Sequence, residues 1–326
     1  MQTKYGKEFI TMEYDKHFDD NAGIMVCEPS SWGGRWTEEK LDAFEKYVNA
    51  YLTIMNKHRD RYQWKLIYFD GFAGSGSRNE EGREENSELL QDLFKNSFLE
   101  KDELNIYKGA AERVLNISQR GFDYYYFIDK DEESNASLEQ LLSQYKETKK
   151  LAFRVSDANK QIEIMANAMG KDNKLTSLVL LDPFGMQVDW KSIELLKGTR
   201  TDLWILIPTG VIVNRLLDKK GELPYIERLM SFFGKDEETL RAYFYTKKQE
   251  QTLFGMREIV EKVNKPIQKI AELYIQQLQG IFKYVTPQPL VLRNSRNVPI
   301  FHFACASNNP AAVKIANEII EKKAKV

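Results

Sequence analysis

Short apolar runs separated by amphipathic stretches set the layout of this chain. Leu66–Phe69, Tyr124–Ile128, Leu151–Val155, Leu178–Leu181 and Leu203–Ile207 are apolar at consecutive positions except for Arg154 in the third, hence largely apolar on both faces of an extended segment. Runs of this kind alternating with helical patterns predict a parallel sheet buried inside an α/β domain. Ahead of the first run, Leu41, Phe44, Val48, Tyr51, Leu52 and Met55 recur at helical spacing and predict a helix over 38–57. Thr37 is its expected N-cap, with Glu38 and Glu39 in the first turn, where carboxylates suit the helix dipole. Behind the fifth run, residues 211–283 carry helical periodicity, clearest at Ile259, Val263, Ile267, Ile270, Tyr274 and Leu278, with Pro266 a kink or boundary. Tyr284–Leu292 and Pro299–Ala306 read as an antiparallel hairpin joined through the turn formers of Arg293–Asn297, and Ala311–Lys323 as a closing helix. The expected organisation is a loop and helical extension over 1–60, an α/β core over 61–210 and a helical insertion over 211–283. A C-terminal hairpin and helix over 284–326 would complete the core.

Composition narrows the class. The chain has 326 residues, 42% hydrophobic and 29% charged, enough to bury a full core. That excludes a disordered tail, a fibrous repeat and a disulfide-stapled mini-protein. No apolar run approaches the roughly 18–20 residues that cross a bilayer, and Met1–Glu8 has no apolar leader region. The expectation is a cytoplasmic protein with no membrane partner. Cys27 and Cys305 read as free thiols, and His17, His58 and His302 form no metal-ligand spacing, so no metal is expected. The net charge of −1 hides an asymmetry: residues 1–210 carry 28 Lys+Arg against 36 Asp+Glu, and residues 211–326 carry 19 against 12. A basic last third can hold a polyanion, with Lys247, Lys248, Arg293 and Arg296 as phosphate contacts; two solvated faces of different sign read the same way.

The chemistry concentrates after the strands. The first ends in Asp70-Gly71-Phe72-Ala73-Gly74-Ser75-Gly76, an acid followed by three glycines, where a ligand can approach the backbone closely. The glycines fall as G-x-x-G-x-G rather than in the dinucleotide pattern, and the preceding carboxylate would repel a pyrophosphate, so a cationic or zwitterionic ligand fits better. The second strand ends in Asp129, placed to accept from the two hydroxyls of a ribose or to cap the helix that follows. The third runs into Asp157, within reach of an adenine amine, and the fourth into Asp182-Pro183-Phe184-Gly185. Four acids after four successive strands exceed what turn chemistry alone produces.

At these residues the chain resembles the class I S-adenosylmethionine-dependent methyltransferases, with Phe72-Ala73-Gly74-Ser75-Gly76 similar to the first motif of their nucleic-acid-modifying members. The resemblance implies a Rossmann-like sheet ending in an antiparallel hairpin. It also implies S-adenosylmethionine as cofactor, held by Asp70, Gly71, Phe72, Ala73, Gly74, Gly76, Asp129 and Asp157. A closer resemblance is to the three-Cys-motif partner proteins. It is carried by the helix before the first strand, F-A-G-x-G, D-P-F-G followed by Trp190, and the late R-N and P-I-F-H-F-A segments. It implies a three-cysteine protein as companion and is silent on substrate. Adenine amino-methyltransferases use an acid, two prolines and an aromatic where Asp182-Pro183-Phe184-Gly185 stands, and the tRNA guanine-N2 dimethyltransferases use a D-P-F-G form. The implied reaction is transfer to an exocyclic amine of a nucleic-acid base. Asp182 and the Pro183 carbonyl would accept the amine hydrogens, Phe184 would stack on the flipped base, and Gly185 falls where the adenine enzymes keep the aromatic. A strand-end Asp-Pro turn with Phe184 in the core is the plainer reading of the same residues. Lys108–Arg113 begins a helix at a place where rRNA adenine-N6 enzymes carry a cofactor-side motif, and Trp32–Trp36 would form an aromatic-anchored loop.

Overall fold

The computed structural model describes residues 34–75, 109–252 and 255–324. Gly76, Lys108, Cys27, His17, Trp32 and Gly33 lie outside these residues. Helix α1 (Gly34–Tyr62) precedes β1 (Lys65–Asp70), and α2 (Ala110–Leu115) precedes β2 (Tyr124–Asp129). Then follow α3 (Glu132–Leu141), β3 (Leu151–Val155), α4 (Ala158–Lys171), β4 (Leu175–Leu181), α5 (Trp190–Glu194) and β5 (Thr201–Ile207). Beyond a π-helical turn at Thr209–Val213 come α6 (Ile226–Phe233), α7 (Glu237–Phe244), β6 (Tyr245–Thr252), β7 (Gly255–Lys262) and α8 (Pro266–Gln279). The chain closes with β8 (Tyr284–Val285), β9 (Leu290–Arg293), β10 (Pro299–Ser307) and α9 (Pro310–Ala324).

The main sheet has the order β3-β2-β1-β4-β5-β10-β8, with β9 also on β10. Strands β1 to β5 pair in parallel, and β10 lies antiparallel to β5, from His302 opposite Ile207 to Ser307 opposite Asp202. The order reverses between β1 and β4, and at such a switch the loops leave in opposite directions and open a crevice above the strand ends. This is the Rossmann-like sheet of class I methyltransferases, parallel except for its C-terminal hairpin. The first strand of that hairpin is split into β8 and β9 because Pro287 and Pro289 offer no N–H to the ladder.

The expected α1 starts one turn early. Thr37 lies inside the helix rather than at its cap, because Trp36 is buried and stacks on Phe301 with ring centroids 5.2 Å apart. From there Phe44 packs against Tyr68, Trp204 and Phe303, laying α1 on one face of the sheet. The insertion differs more. Residues 245–262, read as helix, form the antiparallel ribbon β6–β7, with Thr252 opposite Gly255 at its tip. Ile259 and Val263 matched a helical period only by continuity with the true helix α8, whose N-terminus is Pro266. Among the described residues no helix is long and apolar enough to cross a membrane.

Candidate cofactor and base site

The carboxyl ends of β1, β2 and β4 bring three carboxylates together. Asp70, the last residue of β1, is buried and accepts from the Tyr68 hydroxyl and from its own turn at Phe72 N–H, each at 3.2 Å. Burial pushes its carboxyl up to about 7, and the neighbouring Asp182 and Asp129 charges add to the rise, against those two hydrogen bonds. A cation placed beside this group would restore its charged form; a phosphate would not.

The glycine-rich turn packs closely on the sheet. A Cβ on Gly71 would stand 2.6 Å from Cδ2 of the buried Leu181, so a side chain here would press on the core. Ala73 N–H donates to the Ile128 carbonyl at 2.9 Å, tying the turn to β2, and Gly74 takes φ of +64°, which favours glycine. Gly74 N–H donates to Asp129 Oδ2 and Asp131 N–H to Asp129 Oδ1, both at 2.9 Å. The helix-capping role foreseen as the alternative for Asp129 belongs instead to Asp131, which accepts from Ser134 N–H. Asp129 is therefore held rigidly at the strand end by two backbone donors.

Asp157 caps α4, accepting from Asn159 N–H at 2.7 Å, and meets the Lys130 ammonium. Burial pushes this carboxyl up, but Lys130 and Asn159 outweigh it and hold it below its ordinary value. Asn159 also clamps the next loop: its amide donates to the Gln187 carbonyl at 2.8 Å and its Oδ1 accepts from Asp189 N–H at 2.9 Å. That loop is the D-P-F-G segment. Pro183 and Gly185 are buried, Gly185 N–H donates to Gln187 Oε1 at 2.6 Å, and Phe184 is half-buried.

The residue that sequence reasoning missed is Lys40. Its ammonium reaches both oxygens of Asp182, at 2.9 and 2.6 Å, with the two side chains 2% and 4% exposed, and lies 5.3 Å from the Trp36 ring centre. The signal was present: Trp36, Lys40 and Phe44 fall four apart on the buried stripe of α1, and a lysine there needs a buried acid. Sequence spacing could not say which acid.

The candidate phosphate contacts are not part of this cluster. Lys247 and Lys248 project from the ribbon and pair with Glu258 at 2.9 Å and Glu261 at 2.5 Å across it. Arg293 donates to the Asn297 carbonyl at 2.9 Å within the β9–β10 turn, and Arg296 N–H donates to Asn294 Oδ1 in the same turn. His302, behind that turn, bonds Thr209 Oγ1 through Nδ1 at 2.8 Å, and burial, with Arg293 nearby, pulls it down to about 4.

The sheet order itself places this chain in the class I methyltransferase fold. No family model matches the sequence, and no curated protein matches it. Among solved structures it is similar to a Legionella pneumophila protein of the DUF519 family model, at 15% identity over 85% of this chain and 98% of that one, with TM-score 0.39. It is also similar to the Escherichia coli protein yhhF, assigned as a methyltransferase, at 11% identity over 65% and 85%, with TM-score 0.24. A Clostridium thermocellum protein assigned as an rRNA methylase aligns at 12% identity over 64% and 97%, with TM-score 0.25.

Proposed function

We propose that the chain is an S-adenosylmethionine-dependent methyltransferase acting on an exocyclic amine of a nucleic-acid base. The observation that carries this reading is the convergence of Asp70, Asp129 and Asp182 on a glycine-rich turn at the sheet's switch point. These residues suit the cofactor: a desolvated acid for a cationic end and a rigid acid for vicinal hydroxyls. Gly71, Phe72, Ala73, Gly74 and Gly76 would line its path, and Asp157 would accept from the adenine amine. When bound, the cofactor supplies a sulfonium methyl that needs only an aligned nucleophile.

The chain's own work is that alignment. An exocyclic amine is a weak nucleophile because its lone pair is delocalised into the ring. Asp182 and the Pro183 carbonyl, accepting its two hydrogens, would localise that pair, with Phe184 stacked on the base. Lys40, seated on both Asp182 oxygens, fixes the orientation of the carboxylate. The test is incubation with methyl-tritiated S-adenosylmethionine and pools of RNA and DNA. Label entering nucleic acid, and lost in Asp182→Asn, is the expected result.

One observation favours a second reading. Both Asp182 oxygens are already engaged by a buried ammonium, and the D-P-F-G form departs from the two-proline motif. A non-catalytic subunit accompanying a three-cysteine protein, as the resemblance to the three-Cys-motif partner proteins implies, would show cofactor binding without transfer.

A further inference from the structure

The outer edge of the sheet carries a cationic groove that the site above does not use. Strand β3 ends the sheet, and an open groove of about 530 Å³ runs along it, walled by Lys146, Lys149, Lys150, Phe153 and Arg154, with Glu139 the carboxylate among its lining. Glu139 is taken by Lys146 at 2.6 Å. Among the described residues no ion pair reaches Lys149, Lys150 or Arg154. The Lys149 and Lys150 ammoniums instead face the rings of Tyr125 and Tyr124, at 5.5 and 5.2 Å. Burial draws the Lys149 ammonium below its ordinary value, with nothing acidic to oppose it.

The edge backbone says which kind of anion fits. Tyr125 N–H donates to the Lys150 carbonyl and Ser156 N–H to the Asp129 carbonyl, so residues 150, 152, 154 and 156 face β2. By alternation Leu151, Phe153 and Val155 turn their backbone groups outward. The Phe153 carbonyl already accepts from Arg154 Nη1 at 3.0 Å. The edge thus presents outward N–H groups and two carbonyls, those of Leu151 and Val155, beneath a row of cationic side chains. An added peptide strand would have to displace Arg154 from the Phe153 carbonyl and lie against the cations of the groove. A chain of phosphates needs donors alone. The groove also leads toward the site, since Asp157 follows Val155 by two residues.

We propose that this groove carries the sugar–phosphate backbone of the nucleic acid whose base is presented to Asp182. The proposal rests on the methyltransferase reading for its substrate, and replaces the basic last third of the chain as the holding surface.

The test is fluorescence anisotropy with fluorescein-labelled single-stranded RNA and DNA 20-mers across a salt series. Calorimetric titration with S-adenosylhomocysteine is run on every variant. Lys149→Gln/Lys150→Gln/Arg154→Gln should weaken nucleic-acid binding at least about tenfold near 100 mM salt. It should also flatten the log–log salt slope by about 2, at roughly 0.7 per phosphate contact for single strands. The pair Lys150→Gln/Arg154→Gln, at two exposed positions that cannot disturb the core, should flatten it by about 1.4. Lys314→Gln/Lys322→Gln on α9 should match wild type, and S-adenosylhomocysteine binding should survive in all three. Unchanged affinity and slope in the first two variants overturns the proposal. So does loss confined to Lys247→Gln/Lys248→Gln, which would make the ribbon the binding face. Wild type that binds S-adenosylhomocysteine but neither oligonucleotide overturns the groove while leaving a methyltransferase of other acceptors. Binding of poly-glutamate in place of either oligonucleotide would assign the edge to an acidic peptide. Oligonucleotide binding without S-adenosylhomocysteine binding would support the groove and sink the cofactor reading.

Discussion

Removing the Lys40 ammonium tests whether the buried pair organises the site. In Lys40→Met a side chain of similar length and shape stays on the stripe between Trp36 and Phe44, so packing is largely kept. What is lost is the contact at 2.9 and 2.6 Å to a carboxylate only 4% exposed. Taking one partner from a buried pair leaves a desolvated charge and costs about 3–5 kcal/mol. With a urea m-value near 3 kcal/mol/M, the unfolding midpoint should fall by roughly 1–1.7 M. Asp182→Asn should cost a comparable amount by stranding the ammonium. Because the cost is that of an uncompensated charge, Lys40→Met/Asp182→Asn should recover most of it and lie within about 2 kcal/mol of wild type, a large favourable coupling. The assay is urea unfolding followed by tryptophan fluorescence on the four proteins. Single variants that each lose less than about 1 kcal/mol, or losses that simply add, would refute the reasoning.

Other consequences are as direct. Gly234 closes α6 at φ +61°, and a Cβ there would lie 2.0 Å from Trp190 Cδ1, so Gly234→Ala should lose about 2–5 kcal/mol in the same urea assay. Gly170, in α4 with nothing near its missing Cβ, is the counterpart: Gly170→Ala should be neutral or gain up to about 1 kcal/mol. Between pH 3.8 and about 7 the folded chain holds a proton on Asp70 that the unfolded chain has lost, so this group's share of stability falls as pH rises through that window. Asp70→Asn should therefore gain on wild type with rising pH, read as the difference in unfolding free energy at pH 5 and pH 8. His302 acts with the opposite sign, staying neutral down to about 4 while the unfolded ring protonates near 6.5; His302→Gln should gain on wild type as pH falls through that range.

The sheet was legible because its signal is strong on both counts that matter. Runs such as Leu178–Leu181 and Leu203–Ile207 admit no amphipathic alternative, and the acids that follow the first four runs mark one edge. The hairpin was legible from the turn formers of Arg293–Asn297, where Asn294 Oδ1 accepts from Arg296 and Val298 N–H. The ribbon was not. Its pairing is carried by charges such as Lys247 with Glu258, and a charged alternation reads as a solvated helix face as readily as a strand. In the site, the acids and glycines announced themselves by position along the chain. The Lys40–Asp182 pair joins residues 142 apart, and only the packing of α1 on the sheet brings them together. The same holds for Asn159, whose clamp on the D-P-F-G loop depends on how α4 meets that loop.

The central claim is that the strand ends at Asp70, Asp129 and Asp157 form a cofactor site, and calorimetric titration with S-adenosylhomocysteine tests it most directly. Wild type, Asp129→Ala and the exposed control Lys322→Ala would be compared, each checked for folding by thermal melting. The account predicts micromolar binding by wild type and control and at least a tenfold loss, about 1.4 kcal/mol or more, in Asp129→Ala. No binding by folded, cofactor-free wild type, or full affinity in Asp129→Ala, would contradict it.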